Sequence, residues 1–544
     1  MSQHNMVDYE KTYAEFRWEK PEYFNFARDV IDKWAQDPAK LAMLWVDDEG
    51  NEVRKTFYEF SVASRRAANV LREQGVKQGD VVVVILPRLI EWWEINLACL
   101  RMGAVVSPGT TQLTAKDIKY RLETAEAVCV ITDNDVAPRV DEVIGECPTV
   151  KSRIIVGEPR QGWLNYREAV ARASDNFTTA NTRSDDNAIL YFTSGTTGYP
   201  KMTVHTHASY PLGHIITGKY WLDLRPDDLH WNLSDTGWAK AAWSSFFGPW
   251  NMGAALFVHH SPRFSPKKTL ELLQKYPITT LCGAPTNYRM MVLEDLSQYK
   301  FTTLRHCVGA GEPLNPEVIE VWKKATGLTI RDGYGQTETV LVCGNFPCIE
   351  PRFGSMGKPS PGFDVQVIDE EGNILPPNTE GDVAIRVKPE RPVGLFKEYW
   401  KDPEKTASVH RGDWYLTGDR AYKDEDGYLW FVGRADDVIL TSGYRIGPFE
   451  VESALLEHPA VAESAVVSSP DEIRGEVVKA FVVLAPGYQP SDELVKELQE
   501  HVKKVTAPYK YPRKVEFVES LPKTISGKIR RVELREREWA GKRR

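Results

Sequence analysis

The distribution of apolar and polar residues divides the chain into blocks of helix and strand length. Trp45 to Val46 and Val53 to Thr56 flank Asp48-Glu49-Gly50-Asn51, a turn composition that predicts an early hairpin. Phe60, Ala63, Ala67, Val70 and Leu71 recur at helical spacing, Gly75 suits the helix end, and Val81 to Leu86 is a continuous apolar run of strand length. The alternation continues with a helix through Trp92 to Leu100, a strand at Ala104 to Val106, a helix from Thr114 to Leu122 and a strand at Val128 to Ile131. Helix and strand alternating in this way predict crossover units and mostly parallel sheets. From Val365 to Arg386 the pattern shifts to short alternating strands. From Asp436 onward it reads as a separate unit, with a helix from Pro448 through Leu455, strands at Ala465 to Val467 and Val478 to Leu484, and a helix over Asp492 to Val505. The expected fold is α/β: a large N-terminal domain of crossover α/β subdomains plus a β-rich subdomain, followed by a small C-terminal α+β domain.

Several apolar runs end in residues suited to a ligand. Ala188 to Leu190 leads into Tyr191-Phe192-Thr193-Ser194-Gly195-Thr196-Thr197-Gly198-Tyr199-Pro200-Lys201. Its glycines let the backbone come close to a bulky anion, its hydroxyls donate, and Lys201 supplies charge, so the loop reads as a phosphate cradle. It lacks the Gly-x-x-x-x-Gly-Lys-Ser/Thr order of the nucleotide-kinase loop. Small residues also end the runs at Cys282-Gly283-Ala284-Pro285-Thr286 and Val308-Gly309-Ala310-Gly311-Glu312-Pro313, and Gly237 beside Trp238 suits an apolar pocket wall. In Asp332-Gly333-Tyr334-Gly335-Gln336-Thr337-Glu338 an aromatic can cover a base and a carboxylate can hold a hard cation, although Glu338 taken alone reads as a solvated surface carboxylate. Asp419 can accept both hydroxyls of a ribose and Arg434 can donate to the same sugar or its phosphate; an ion pair between the two is the competing account. Pro108-Gly109-Thr110-Thr111-Gln112 lies where ligands of open α/β sheets sit, or is a plain strand-to-helix turn.

At 544 residues the chain exceeds one compact core, and a net charge of −8 without a global basic field argues against nucleic acid as a partner. No apolar run approaches the ~20 residues needed to span a bilayer, so no stable membrane insertion is expected. Met1 to Lys20 is polar and mixed in charge, which leads to the expectation of a cytoplasmic location. The seven cysteines lack any Cys-x-x-Cys pair and read as small buried hydrophobes.

The ordered motifs at 193 to 201, 332 to 338, 413 to 419, 433 to 447 and 522 to 528 resemble the adenylate-forming superfamily over nearly the whole chain. Ser234-Asp235-Thr236-Gly237-Trp238, Gly433-Arg434-Ala435-Asp436-Asp437, Ser442-Gly443-Tyr444-Arg445-Ile446-Gly447-Pro448 and Thr506-Ala507-Pro508-Tyr509-Lys510-Tyr511-Pro512 resemble its medium-chain acyl-CoA synthetases. Mammalian members of that subgroup carry a mitochondrial leader that Met1 to Lys20 does not resemble, which leads to the expectation of a bacterial or archaeal cytosolic enzyme.

The resemblance implies ATP, Mg2+ and coenzyme A, with a small-molecule carboxylic acid as substrate; a homo-oligomer is compatible with it. It implies an adenylation domain over 1–434, a mobile domain over 436–544 and a hinge near 435–436, at Asp436. Catalysis falls to Lys528, Thr193, Lys201 and Glu338, with Glu338 on the metal. The nucleotide falls to residues 193 to 201, Gly311, Glu312, Pro313, Asp332 to Thr337, Asp419, Arg434 and Lys528. CoA falls to Ser442, Gly443, Tyr444, Arg474, Lys503 and Gln112, and the acyl group to Trp238, Gly237, Gly283, Gly335 and Arg445. Acetate-restricted members place tryptophan where this chain has Gly335, so an open acyl pocket and acids longer than propionate are expected. An adenylating enzyme that loads a carrier protein and a non-catalytic nucleotide sensor remain as alternatives.

Overall fold

The structure is a computed structural model that describes residues 4–193, 200–441, 444–471, 474–524 and 528–540. Among these, strands form four sheets. One sheet carries the first crossover units: Val81–Ile85 lies between Val105–Pro108 and Cys129–Asp133, parallel to both, and Asn187–Thr193 extends it. The intervening helices are capped as the sequence dictates. Thr56 and Glu59 close a capping box on Phe57–Glu73, Thr114 and Asp117 another on Ala115–Thr124, and Gly103, at φ +75°, ends Ile90–Met102 in the left-handed region.

A second sheet holds the early hairpin, Leu41–Asp47 and Glu52–Thr56, at one edge. It continues through Ala255–His260 and Leu229–Asn232 to the parallel strands Thr280–Gly283, His306–Ala310 and Ile330–Tyr334. The C-terminal ends of these last three strands are therefore neighbours, which brings the small-residue turns to one place.

A third, antiparallel sheet comprises Val365–Ile368, Gly381–Arg386, Trp414–Lys423 and Leu429–Arg434 with a short edge strand. The fourth, mainly antiparallel, builds the small C-terminal domain around Val461–Asp471 and Gly475–Leu484, covered by helices Pro448–Leu456, Asp492–Val505 and Arg531–Trp539. Its core of Val466, Val478, Ala480, Leu455, Leu498 and neighbours is separate from the cores of the large domain. The mixed α/β architecture matches the expectation.

The polar N-terminal stretch is wired across the large domain. Tyr9 Oη donates to Pro359 O at 2.8 Å, Tyr13 Oη to Phe363 O at 2.8 Å and Trp18 Nε1 to Gly362 O at 2.8 Å. All seven cysteines are free and all but Cys348 are buried.

Candidate functional site

The site lies where the Ile330–Tyr334 strand meets the antiparallel sheet. Tyr334 Oη donates to Asp419 Oδ2 at 2.5 Å, Gln336 Nε2 donates to the same oxygen at 2.9 Å, and Arg434 Nε stands 3.4 Å from Asp419 Oδ1. Gln336 Nε2 also reaches Thr417 O at 2.8 Å. Burial raises the Asp419 carboxyl above its ordinary value; the charge of Arg434, the Tyr334 hydrogen bond and the charge of Lys528 oppose that rise. The ion pair between Asp419 and Arg434 is thus present, on a carboxylate that Tyr334 and Gln336 also hold.

Lys201 and Glu338 sit close enough for their charges to interact. Glu338 Oε1 accepts from Tyr399 Oη at 2.8 Å, and Lys201 Nζ lies 5.6 Å from the centre of the same ring. Burial lowers the Lys201 ammonium and the Glu338 charge partly restores it. Thr193 ends its strand, paired antiparallel with Lys201, so the loop between them joins two antiparallel strands; Ser194, Gly195, Thr196, Thr197, Gly198 and Tyr199 lie outside the described residues, while Pro200 O accepts from Tyr120 Oη at 3.3 Å. Thr337 O is held by His205 Nε2 at 2.7 Å and Tyr210 Oη at 2.5 Å. Burial pushes His205 down to about 3, so the ring is neutral and Nε2 carries the proton it donates.

The small-residue turns meet at Lys240. Its Nζ donates to Gly283 O at 2.8 Å and to Ala310 O at 2.6 Å, tying two strand ends together. Burial lowers its pKa, and the nearby charge of Lys528 lowers it further. Gly311, at φ +109°, needs glycine for its backbone, and the space beside its Cα is open. Glu312 is paired with Arg289 at 3.0 Å, next to Pro313. Asp332 is buried and pushed up to about 8 by desolvation, accepting from Gly333 N at 2.9 Å.

Of the acyl-group candidates, Gly237 packs directly on the Gly109–Thr110 turn, where a Cβ would meet Thr110 N at 2.2 Å. Trp238 caps the short Ala239–Ala242 helix and is half-buried. Gly283 faces Tyr288 and Leu233, with a Cβ 3.1 Å and 3.4 Å from them. The expectation of open space beside Gly335 is corrected: a Cβ there would meet Trp243 Cη2 at 2.1 Å and Val340 O at 2.6 Å, because the Trp243 indole already fills it. Arg445 pairs through its backbone with Leu440.

Of the CoA candidates, Ser442 and Gly443 lie outside the described residues. Tyr444 is exposed and stacked on Tyr509 at 4.3 Å, Arg474 N donates to Asp471 Oδ1 at 2.9 Å, and Lys503 pairs with Glu500 at 2.6 Å. Gln112 is exposed on the turn that Gly237 contacts. Asp436 lies 3.9 Å from Arg434 Nε, and Lys528 is exposed, its N–H donating to Thr524 Oγ1 at 3.1 Å. The sequence reading missed Lys240, Tyr399, His205 and Tyr210, which act on carbonyls and carboxylates that only the fold brings near.

Residues 31–400 match the AMP-binding enzyme family and residues 450–528 the AMP-binding enzyme C-terminal domain. The chain belongs to the AMP-binding enzyme family. It is 58% identical to the mitochondrial acyl-coenzyme A synthetase ACSM3 of Mus musculus, over 98% of this chain and 94% of that protein. It is 55% identical to the mitochondrial ACSM4 of Homo sapiens, over 96% of this chain and 92% of that protein. Among solved structures, the anthranilate CoA ligase AuaEII in complex with anthranoyl-AMP aligns with a TM-score of 0.87 at 31% identity, covering 95% of this chain and 98% of that one. A benzoate CoA ligase from Burkholderia xenovorans LB400 gives 0.84 at 30% identity, covering 94% and 100%. These relatives overturn the expected cytoplasmic location, since ACSM3 from mouse, orangutan, human and rat is in each case a mitochondrial protein. That expectation rested on the polar, mixed-charge composition of Met1 to Lys20, and composition alone does not set a compartment.

Proposed function

We propose that the chain is an AMP-forming acyl-CoA synthetase. A carboxylate attacks the α-phosphorus of ATP to give acyl-AMP and pyrophosphate, and the thiol of CoA then displaces AMP. The observation that carries this reading is the convergence of Tyr334, Gln336 and Arg434 on Asp419 beside the Lys201–Glu338 pair, with the charge of Lys528 reaching Asp419. An anion must approach a polyanion and expel another, so the work is positioning and charge stabilisation rather than attack by a side chain.

Asp419, already oriented, takes the ribose hydroxyls, and Lys201 and Lys528 face the phosphates. Asp332 to Thr337 and Gly311 to Pro313 hold the nucleotide base and α-phosphate. Among the described residues no group of three or more His, Cys, Asp or Glu could cage a metal. Glu338 offers one carboxylate, which fits magnesium that arrives with ATP and brings phosphate and water oxygens of its own. Bound there, magnesium supplies charge neutralisation on the phosphates.

The substrates are a medium-chain, branched or aromatic carboxylic acid, ATP and CoA. Residues 436–544 turn about Asp436 between the half-reactions, withdrawing Lys528 and presenting Ser442, Gly443 and Tyr444 to the site, with Arg474, Lys503 and Gln112 on CoA. What supports this is that Tyr444 is exposed while the charge of Lys528 reaches Asp419. Carboxylate-dependent pyrophosphate exchange followed by thioester formation on adding CoA is the expected behaviour. Exchange without thioester would point to carrier loading, and nucleotide binding without exchange to a sensor. Lys528→Ala is expected to abolish adenylation while sparing thioester formation from supplied acyl-AMP; equal damage to both would contradict the rotation.

A further inference from the structure

The two domains touch through a close backbone contact. Gly447 lies between the Tyr444–Ile446 strand and the Pro448–Leu456 helix, and a Cβ on it would stand 2.0 Å from Val432 O and 2.8 Å from Val432 C. Val432 belongs to the Leu429–Arg434 strand, which ends in the arginine that faces Asp419. The backbone of Gly447, at φ −76° and ψ 126°, is extended geometry open to any residue, so local conformation does not call for glycine here. The neighbouring strand does.

The rest of the seating is built around that contact. Pro448 Cδ lies 3.3 Å from the Cβ position of Gly433, the rings of Phe431 and Phe449 are 6.4 Å apart, and Asn315 Nδ2 donates to Ser453 Oγ at 3.0 Å. In the same seating the charge of Lys528 reaches both Asp419 and Lys240.

We propose that Gly447 is a positioning residue that permits the adenylate-forming seating of the small domain, because only a residue without a side chain lets that domain settle on Val432 deeply enough to bring Lys528 to the nucleotide. The inference rests on the two-orientation reading of the site. A turn at Asp436 carries the strand-to-helix junction across the Leu429–Arg434 strand, so a methyl group at 447 obstructs one seating and leaves the other free.

The test is Gly447→Ala in the full chain, with pyrophosphate exchange and thioester formation from supplied acyl-AMP measured separately beside Lys528→Ala. Overpacking against a backbone oxygen is expected to slow exchange by roughly tenfold to a hundredfold. Thioester formation is expected to stay within about twofold, which also shows that the variant folds. If Lys528→Ala is selective but Gly447→Ala affects both half-reactions evenly, or neither, this inference is overturned alone. If Lys528→Ala itself damages both evenly, the two-orientation reading falls and this inference with it.

Discussion

At the scale of single residues, two side groups carry distinct expectations. Gly335 has Trp243 against it, so Gly335→Trp cannot close an acyl pocket without displacing an indole that is buried and donates from Nε1 to Tyr210 Oη at 3.2 Å. The expected result is a parallel fall in kcat/KM across acids from acetate to octanoate; a selective gain on acetate would show that Trp243 moves aside. Asp332 is held up to about 8 by burial, so the folded chain keeps a proton that the unfolded chain releases near its ordinary 3.8. Stability from this group is therefore greatest at low pH and declines as pH rises through that window. Asp332→Asn, which retains an acceptor for Gly333 N, is expected to melt progressively higher than the native protein as pH increases from acid to about 8. A constant difference in Tm across the range would refute the assignment. The motif residues were legible because each type announces a chemistry, whereas Lys240 and His205 were not. A lysine bonded to two carbonyls from separate strands, and a neutral histidine under Thr337 O, carry no local signal.

At the scale of elements, the turn at Gly109–Thr110 and the one at Gly237 are in backbone contact, which locks the first sheet to the second. Thr236 Oγ1 adds a bond to Leu86 O at 2.7 Å and Arg88 Nη2 one to Leu233 O at 3.0 Å. Gly237→Ala is expected to destabilise the large domain by about 1–3 kcal/mol, the usual cost of overpacking, seen as a lower denaturant midpoint. An unchanged midpoint would mean that the turns separate freely. The helices and strands between residues 41 and 133 were legible because caps and period agree, whereas the helical segments Tyr9–Glu15, Ala27–Ile31 and Asp32–Trp34 were not expected; the helix expected from Thr114 to Leu122 is Ala115–Thr124 with Thr114 as its cap. The stretch from Ala208 to Trp250 was not legible. Ala208–Leu212, Thr217–Trp221 and Trp243–Phe247 are π-helical, and the wider turn breaks the 3.6-residue period by which an apolar face is recognised. Trp221, Trp231, Trp243 and Trp250 are buried there as part of the core.

At the scale of the whole molecule, the alternation of helix and strand implied parallel sheets but could not say which sheets would meet. The site depends on that meeting, since Tyr334 comes from the mixed second sheet and Asp419 from the antiparallel third one. Nor did the polar composition of Met1 to Lys20 reveal that Tyr9, Tyr13 and Trp18 each reach across some 340 to 350 residues of sequence to bind carbonyls between Pro359 and Phe363. Such pairings are long-range and leave no period in either partner.

The central claim is that this assembly splits ATP at the α-phosphate to activate a carboxylate for CoA. Phosphorus NMR of the protein with ATP, magnesium, CoA and a medium-chain acid, alongside quantification of the thioester, tests it most directly. The account predicts AMP and pyrophosphate accumulating in equal amounts with acyl-CoA, and no turnover without the acid. ADP and orthophosphate as the main products would contradict it.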